Sequence, residues 1–210
     1  MNPKLQSYID QLTSDFSSIH AERKSILEKI SDYIILKREK DLPVHLVFIC
    51  THNSRRSHFG QIWGNVAALH YGINGVRTYS GGTEATAFHP NAIQALQRAG
   101  FQIQKKSDES NPLYHVFHDE ASAPDSCFSK TYDHPENPRE HFAAIMTCSD
   151  AEENCPFIPG VELRTATTYE DPKLYDNTAL QEEKYDERCR QIAHEMLYIF
   201  SLIKKENNRY

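Results

Sequence analysis

The stretch VHLVFIC, residues 44–50, is apolar at every position but one and rich in β-branched side chains. A run of that length without polar alternation fits a strand buried on both faces, and such strands belong to parallel sheets covered by helices. The chain then turns through THNSRRS into a segment with Trp63, Val66, Ala67 and His70 at helical spacing. VRTYSGG (76–82) repeats the strand pattern, and HPNAIQALQRAGF predicts a helix opened by Pro90 in its first turn and closed at Gly100. HFAAIMTC (141–148) predicts a third strand, VELRTAT (161–167) a weaker fourth, and the stretch from about Ala179 to Lys204 a long helix. The βαβα order predicts an α/β fold in three layers: a four-stranded parallel sheet with helices on both faces.

Two segments fall outside that repeat. Residues 3–40 place Leu5, Tyr8, Ile9, Leu12, Phe16 and Ile19, then Ile26, Leu27, Ile30, Tyr33 and Ile34, at helical spacing, with Ser17 and Ser18 between. One bent helix and two helices are both open, and the segment reads as an N-terminal helical extension over 1–42. Its apolar stripe must be covered, either by the domain over 43–210 or by a second copy of the chain in a homodimer. Residues 110–138 carry two short aromatic and β-branched runs around a Pro-Asp-Ser turn, which predicts a β-hairpin insertion.

Charge and cysteine content narrow the function. A net charge of −6 argues against a nucleic acid or an anionic membrane as partner. No run of 18 apolar residues is present, and MNPKLQSYIDQL lacks the order of a signal peptide. Together with an odd count of five cysteines, this predicts a cytoplasmic protein with reduced thiols.

Ligands of open parallel sheets collect beyond the carboxyl ends of the strands, where Cys50 stands. Five residues separate it from Arg56-Ser57, enough for the amides of Thr51, His52, Asn53, Ser54 and Arg55 to curl round a tetrahedral oxyanion at the start of the next helix. A helix N-terminus can favour a thiolate by up to about 2 kcal/mol in a partly buried geometry, and a nearby arginine by at least as much. An arginine can also hold two oxygens of a phosphate-like group at once. The pattern G-x-x-x-x-G-K of a nucleotide loop is absent.

Cys50-x5-Arg56-Ser57 straight after the first strand resembles the signature of the low-molecular-weight protein tyrosine phosphatase superfamily, over about residues 43–204. The resemblance implies that superfamily's fold, with Cys50 attacking the oxyanion, Arg56 binding it, Ser57 steadying the thiolate and Asp171 of YEDPK acting as general acid. TCSDAEENCPFIPG (147–160) is similar to the redox segment of thioredoxin-coupled arsenate reductases, which implies a relay. Cys50 attacks arsenate, Cys148 attacks the adduct and releases arsenite, Cys155 attacks Cys148, and thioredoxin reduces the last disulfide. Cys148 and Cys155, with six residues between them and no further C-x2-C or H-x3-H partner, are a poor zinc set.

Four positions depart from that resemblance. His52 stands for a frequent glycine and Arg55 for a frequent cysteine, and both would enlarge the loop's side chains. Gln61 replaces a glutamate that helps to bind potassium in some reductases, so no metal and no cofactor beyond an external thiol reductant are expected. Lys173 follows Asp-Pro where tyrosine phosphatases carry an aromatic, although aromatics of 110–138 could rebuild that slot. Three functions follow in order: arsenate reductase, protein tyrosine or small-molecule phosphatase, and a non-catalytic anion-binding or redox-sensing module whose loop His52 and Arg55 have closed.

Overall fold

The computed structural model describes residues 1–154 and 157–207, the last three of these by backbone alone. In chain order they form α1 (Pro3–Thr13), α2 (Ala21–Glu39), β1 (Val44–Cys50), α3 (Arg56–His70), β2 (Val76–Gly82), α4 (Pro90–Ala99), β3 (Gln102–Lys105), β4 (Tyr114–Phe117), β5 (Asp125–Cys127), β6 (Phe142–Met146), α5 (Ser149–Asn154), β7 (Val161–Ala166), a 3-10 turn (Pro172–Tyr175) and α6 (Gln181–Asn207). The four-stranded parallel sheet has the order β2-β1-β6-β7, so the apolar run that opened the sequence is an inner strand. The expected fold class is observed.

The sheet's two faces are covered unequally. Leu46, Phe48, Ala143 and Ile145 join a large core with α1, α2, α3, α4 and α6. Val47, Ile49, Ala144 and Met146 face a smaller cluster closed by Ala151 of α5 and by Ile158, with Tyr79 and Tyr132 beside it. Cys50 and Cys148 both lie in that smaller cluster.

Residues 3–39 form two helices. Asp15 accepts from the Ser17 amide at 2.6 Å and from its hydroxyl at 2.8 Å, a local turn that competes with helix continuation. The apolar stripe is spent inside the chain: Leu5, Ile9, Leu12, Leu27, Ile30 and Ile34 are buried in one core with Tyr185, Cys189, Ile192 and Met196 of α6. A homodimer through these helices therefore loses the unmet apolar face that motivated it.

The expected antiparallel hairpin is present within 110–138 as β4-β5, and two details of the expectation need correction. The insertion is a three-stranded antiparallel sheet, β3-β4-β5, whose first strand follows Gly100 directly and lies before residue 110. Gly100 ends α4 at φ 119°, a left-handed conformation that reverses the chain at once. The Pro-Asp-Ser turn is also displaced, because Asp125 and Ser126 belong to β5. The Asp125 carboxyl accepts from Asn65 Nδ2 of α3 at 2.7 Å, a tertiary bond that outweighs local turn preference. Burial pushes the Asp125 carboxyl up to about 6. Among the described residues no helix is long and apolar enough to cross a membrane.

Candidate active site

Cys50 ends β1 in a buried position, and the chain climbs through residues 51–55 into α3. Cys50 Sγ lies 3.1 Å from Ser57 Oγ. Asn53 Nδ2 donates to the same hydroxyl oxygen at 2.8 Å, leaving the one hydroxyl hydrogen of Ser57 for the sulfur. The Asn53 amide is held in turn by Lys130 N, which donates to its Oδ1 at 2.8 Å. Asn53 has φ 43°, a left-handed turn that asparagine tolerates better than most residues.

The loop's carbonyls are tied back from outside. Cys50 O accepts from Thr83 N at 3.1 Å, Thr51 O from Glu84 N at 2.8 Å, and Ser54 O from His89 N at 2.9 Å. His52 O accepts from Ser129 Oγ at 2.9 Å and Thr86 Oγ1 at 3.1 Å. Within a planar peptide the N–H points opposite to the C=O, so the amides of Thr51, His52, Asn53 and Arg55 turn to the loop's inner side. α3 adds its first turn, which has no side-chain cap at Arg55 and no carboxylate. That combination suits an anion.

Arg56 closes the loop. Its Nη1 donates to Tyr169 O at 2.9 Å and its Nη2 to Asp171 Oδ2 at 2.5 Å. Its buried Nε has no hydrogen-bond partner among the described residues. An unpaired buried donor on a cation is costly, and an oxyanion oxygen would satisfy it. Asp171 also caps the 3-10 turn, accepting from Lys173 N at 3.0 Å.

The two enlarged loop residues behave differently from each other. Arg55 turns away from the loop, donating from Nε to Tyr185 Oη at 2.6 Å and from Nη2 to Asp176 Oδ2 at 3.2 Å. Its guanidinium is paired there, and Arg55 also contributes to the lining of the cavity beside the loop. His52 lies at the rim, 3.7 Å from Glu84. Beside the loop is a cavity of about 470 Å³ whose lining includes His52, Thr86, His89, Ser110 and Lys173. Ser110 is the one lining residue from 110–138, so the aromatics of that segment do not rebuild a ring slot there. Beneath the loop His58 is fully buried and stacked on Phe88 at 4.0 Å, and burial pushes it down to about 3.

Cys148 stands two residues past the end of β6, the strand that pairs with β1. Its Sγ lies 3.4 Å from Thr51 Oγ1, and Ala151 N donates to it at 3.4 Å. Thr51 Oγ1 donates to Asp150 Oδ2 at 2.6 Å, so one loop hydroxyl touches both the thiol and the start of α5. Cys155 lies outside the described residues. Cys189 is a core residue against Trp63 Nε1, its thiol pushed up to about 12 by burial, and Cys127 is likewise buried with its thiol pushed up. Among the described residues no group of three or more His, Cys, Asp or Glu could hold a metal ion.

Residues 45–114 match the model of the low molecular weight phosphotyrosine protein phosphatase family. The superfamily resemblance read from Cys50 to Ser57 is borne out. An arsenate reductase of Shouchella clausii is 28% identical over 140 residues, which are 67% of this chain and 81% of that protein. One of Bacillus subtilis is 27% identical with the same coverage. Among solved structures, an arginine phosphatase from Geobacillus stearothermophilus superposes with a TM-score of 0.51 at 13% identity, covering 80% of this chain and 97% of that one. That likeness carries the low-molecular-weight phosphatase fold.

Within this low-molecular-weight phosphatase frame, the sequence motifs pointed to the groups around the loop's inner side and missed those that hold them. Lys130, Thr86, Ser129 and Tyr169 carry no motif, and all four act on the loop through a backbone atom or a hydroxyl. Only the adjacency of Tyr169 to the Asp-Pro pair offered a signal.

Proposed function

We propose that the chain reduces arsenate to arsenite through Cys50, Cys148 and Cys155. The observation that carries this reading is Cys148, buried with Cys50 in one cluster and touching the loop through Thr51. Ester hydrolysis through a cysteinyl-phosphate does not itself require a second thiol there. Cys50 attacks arsenic with Ser57 steadying its thiolate, an As–S bond forms, and one arsenate oxygen leaves as water or hydroxide. Cys148 then attacks Cys50 Sγ, a disulfide forms, and the As–S electron pair leaves with arsenic as arsenite. Cys155 attacks Cys148 Sγ and frees Cys50. An external dithiol such as thioredoxin reduces the Cys148–Cys155 bond, and Phe157, 77% exposed two residues beyond Cys155, supports a protein reductant. On this reading residues 43–210 are the catalytic domain, 1–42 its extension, and the site of action is the cytoplasm.

A phosphatase is the second reading, favoured by Asp171 at 2.5 Å from Arg56, where a general acid for an ester would stand. The cavity beside the loop is lined by imidazole, hydroxyl, guanidinium and ammonium groups together with Ala87 and Pro90, and among the described residues no aromatic ring lies across it other than the two imidazoles. The closed-loop alternative is weakened because Arg55 is held by Tyr185 and Asp176. The test is one purified sample assayed for thioredoxin-dependent arsenate turnover and for aryl phosphate hydrolysis. Arsenate turnover abolished by Cys148→Ser supports the relay; arsenate turnover that survives it sinks the relay and leaves the phosphatase.

A further inference from the structure

We propose that the N-terminal extension helps to build the oxyanion site: Arg23 of α2 is a positioning residue that acts on Arg56 through Glu195 and Tyr169. The proposal rests on the reading of Cys50 to Ser57 as an oxyanion loop.

The contacts form a continuous chain. Arg23 makes a two-pronged pair with Glu195 of α6, Nε to Oε1 at 2.9 Å and Nη2 to Oε2 at 2.8 Å. Tyr169 Oη donates to the same Oε2 at 2.7 Å, and the Arg23 guanidinium lies 4.8 Å from the centre of the Tyr169 ring. Arg23 Nη2 also donates to Thr167 O at 3.2 Å. The Tyr169 backbone carbonyl is the acceptor of Arg56 Nη1, and two residues on Asp171 takes Arg56 Nη2. Three of the five residues 167–171 are therefore fixed between Arg23 and Arg56.

This segment needs such fixing. It lies past the end of β7 and has no regular secondary structure, so no ladder dictates where its carbonyls point. Thr167 N and Tyr169 N tie it to the sheet through Met146 O and Thr147 O at 2.9 and 3.1 Å. Those bonds hold the amide side of the strand's continuation. The Tyr169 carbonyl belongs to the next peptide plane, which leaves from the Tyr169 Cα, and that Cα is anchored by a ring and hydroxyl held by Arg23 and Glu195. Glu195 and Tyr169 are both buried, so the link is shielded from water. An arginine suits this place better than a lysine because one planar fork reaches both carboxylate oxygens and the Thr167 carbonyl together.

A merely structural ion pair would, when broken, lower the folded fraction and with it kcat, leaving the affinity of the remaining folded molecules unchanged. A positioning role shifts affinity for the oxyanion itself. The experiment measures protection of Cys50 from iodoacetamide by inorganic phosphate in the full chain, alongside KM for arsenate and thermal unfolding. Arg23→Met and Tyr169→Phe should each weaken phosphate protection by roughly threefold to thirtyfold. Their combination should be little worse than either alone, and Arg23→Lys should fall between wild type and Arg23→Met. If Arg23→Met does not fold, Arg23→Lys and Tyr169→Phe carry the same test. Folded variants with wild-type phosphate affinity and KM, or fully additive losses, would overturn the role of Arg23 while leaving the loop's function standing. A wild-type chain that phosphate does not protect would take down the oxyanion reading and this proposal with it.

Discussion

Gly82 ends β2 opposite Cys50, and a Cβ at that position would lie 2.4 Å from Glu84 O, 2.6 Å from Thr51 O and 2.7 Å from Asn53 N. All three are backbone atoms, so no side chain can swing aside. Gly82 is itself pinned, donating to Lys130 O and accepting from Tyr132 N, both at 2.9 Å. The oxyanion loop, with the Glu84 carbonyl beside it, is therefore what yields to Gly82→Ala. Relief to the 3.4 Å of an ordinary contact moves Thr51 O by about 0.8 Å, and misplacement of a site by about 1 Å can cost about 10²-fold in rate. Overpacking of this kind costs about 1–3 kcal/mol of stability. The control is Gly81→Ala one residue earlier, whose Cβ meets Tyr132 Cα at 2.5 Å instead of the loop. Both variants should lose comparable stability in urea unfolding, and only Gly82→Ala should lose about two orders of magnitude in kcat/KM for arsenate together with phosphate protection of Cys50. A folded Gly82→Ala with kcat/KM close to wild type would show that the loop's amides are not the binding element.

Asp171→Asn should lower any aryl phosphate hydrolysis by about 10²-fold or more and arsenate turnover far less, since an ester's leaving group needs a proton that an arsenate oxygen can take from solvent; equal losses would mean that Asp171 serves chiefly to orient Arg56. His58, pushed down to about 3 by burial, stays neutral in the fold, so as pH falls below about 6.5 the unfolded chain gains a proton the folded one refuses and stability drops. At pH 5 this amounts to at most about 2 kcal/mol, to be read as the difference in urea midpoints between wild type and His58→Gln at pH 7.5 and pH 5. That comparison cancels Asp125, whose raised carboxyl works the other way, gaining stability as pH falls through about 6. Oxidation that joins Cys148 to Cys155 should unwind α5: helical continuation would separate them by about 10 Å of rise, whereas a disulfide needs Cα atoms about 4.4–6.8 Å apart. Hydrogen exchange across 149–154 should then rise, and unchanged protection in the oxidised protein would count against the relay.

The main sheet was legible because its inner strands carry their own signal: VHLVFIC is apolar but for His45 and FAAIM is apolar throughout, and buried parallel strands need such runs. β3 was not, since Gln102–Lys105 presents one half-buried apolar side chain, Ile103, between polar residues, and it becomes a strand only through pairing with β4. The start of β5 at Asp125 was hidden for a related reason. An aspartate after proline reads as a turn until its partner, Asn65 in a distant helix, is in place. The unequal covering of the two sheet faces could not be read either, because strand patterning shows that a face is buried without showing by what.

The site divides along the same line. Cys50, Arg56 and Ser57 are set by a local motif because five residues and a helix start are enough to shape a loop. What keeps that loop's amides turned inward comes from Thr83, Glu84, Thr86, His89, Ser129 and Lys130, whose contribution is a backbone amide or a hydroxyl that many residue types could supply. Arg55 and Arg56 make the point most sharply. They are adjacent and chemically identical, and in the sequence only the five-residue spacing from Cys50 tells them apart. The distinction arises 130 positions away, where Tyr185 Oη takes Arg55 Nε at 2.6 Å and draws it toward α6, while Tyr169 O and Asp171 hold Arg56 by its two outer nitrogens and leave its buried Nε unpaired among the described residues. One guanidinium is saturated by the protein and serves as a strut. The other keeps a donor in reserve, and an unsatisfied buried cation donor at the mouth of a ring of amides is a group whose free energy an oxyanion can lower.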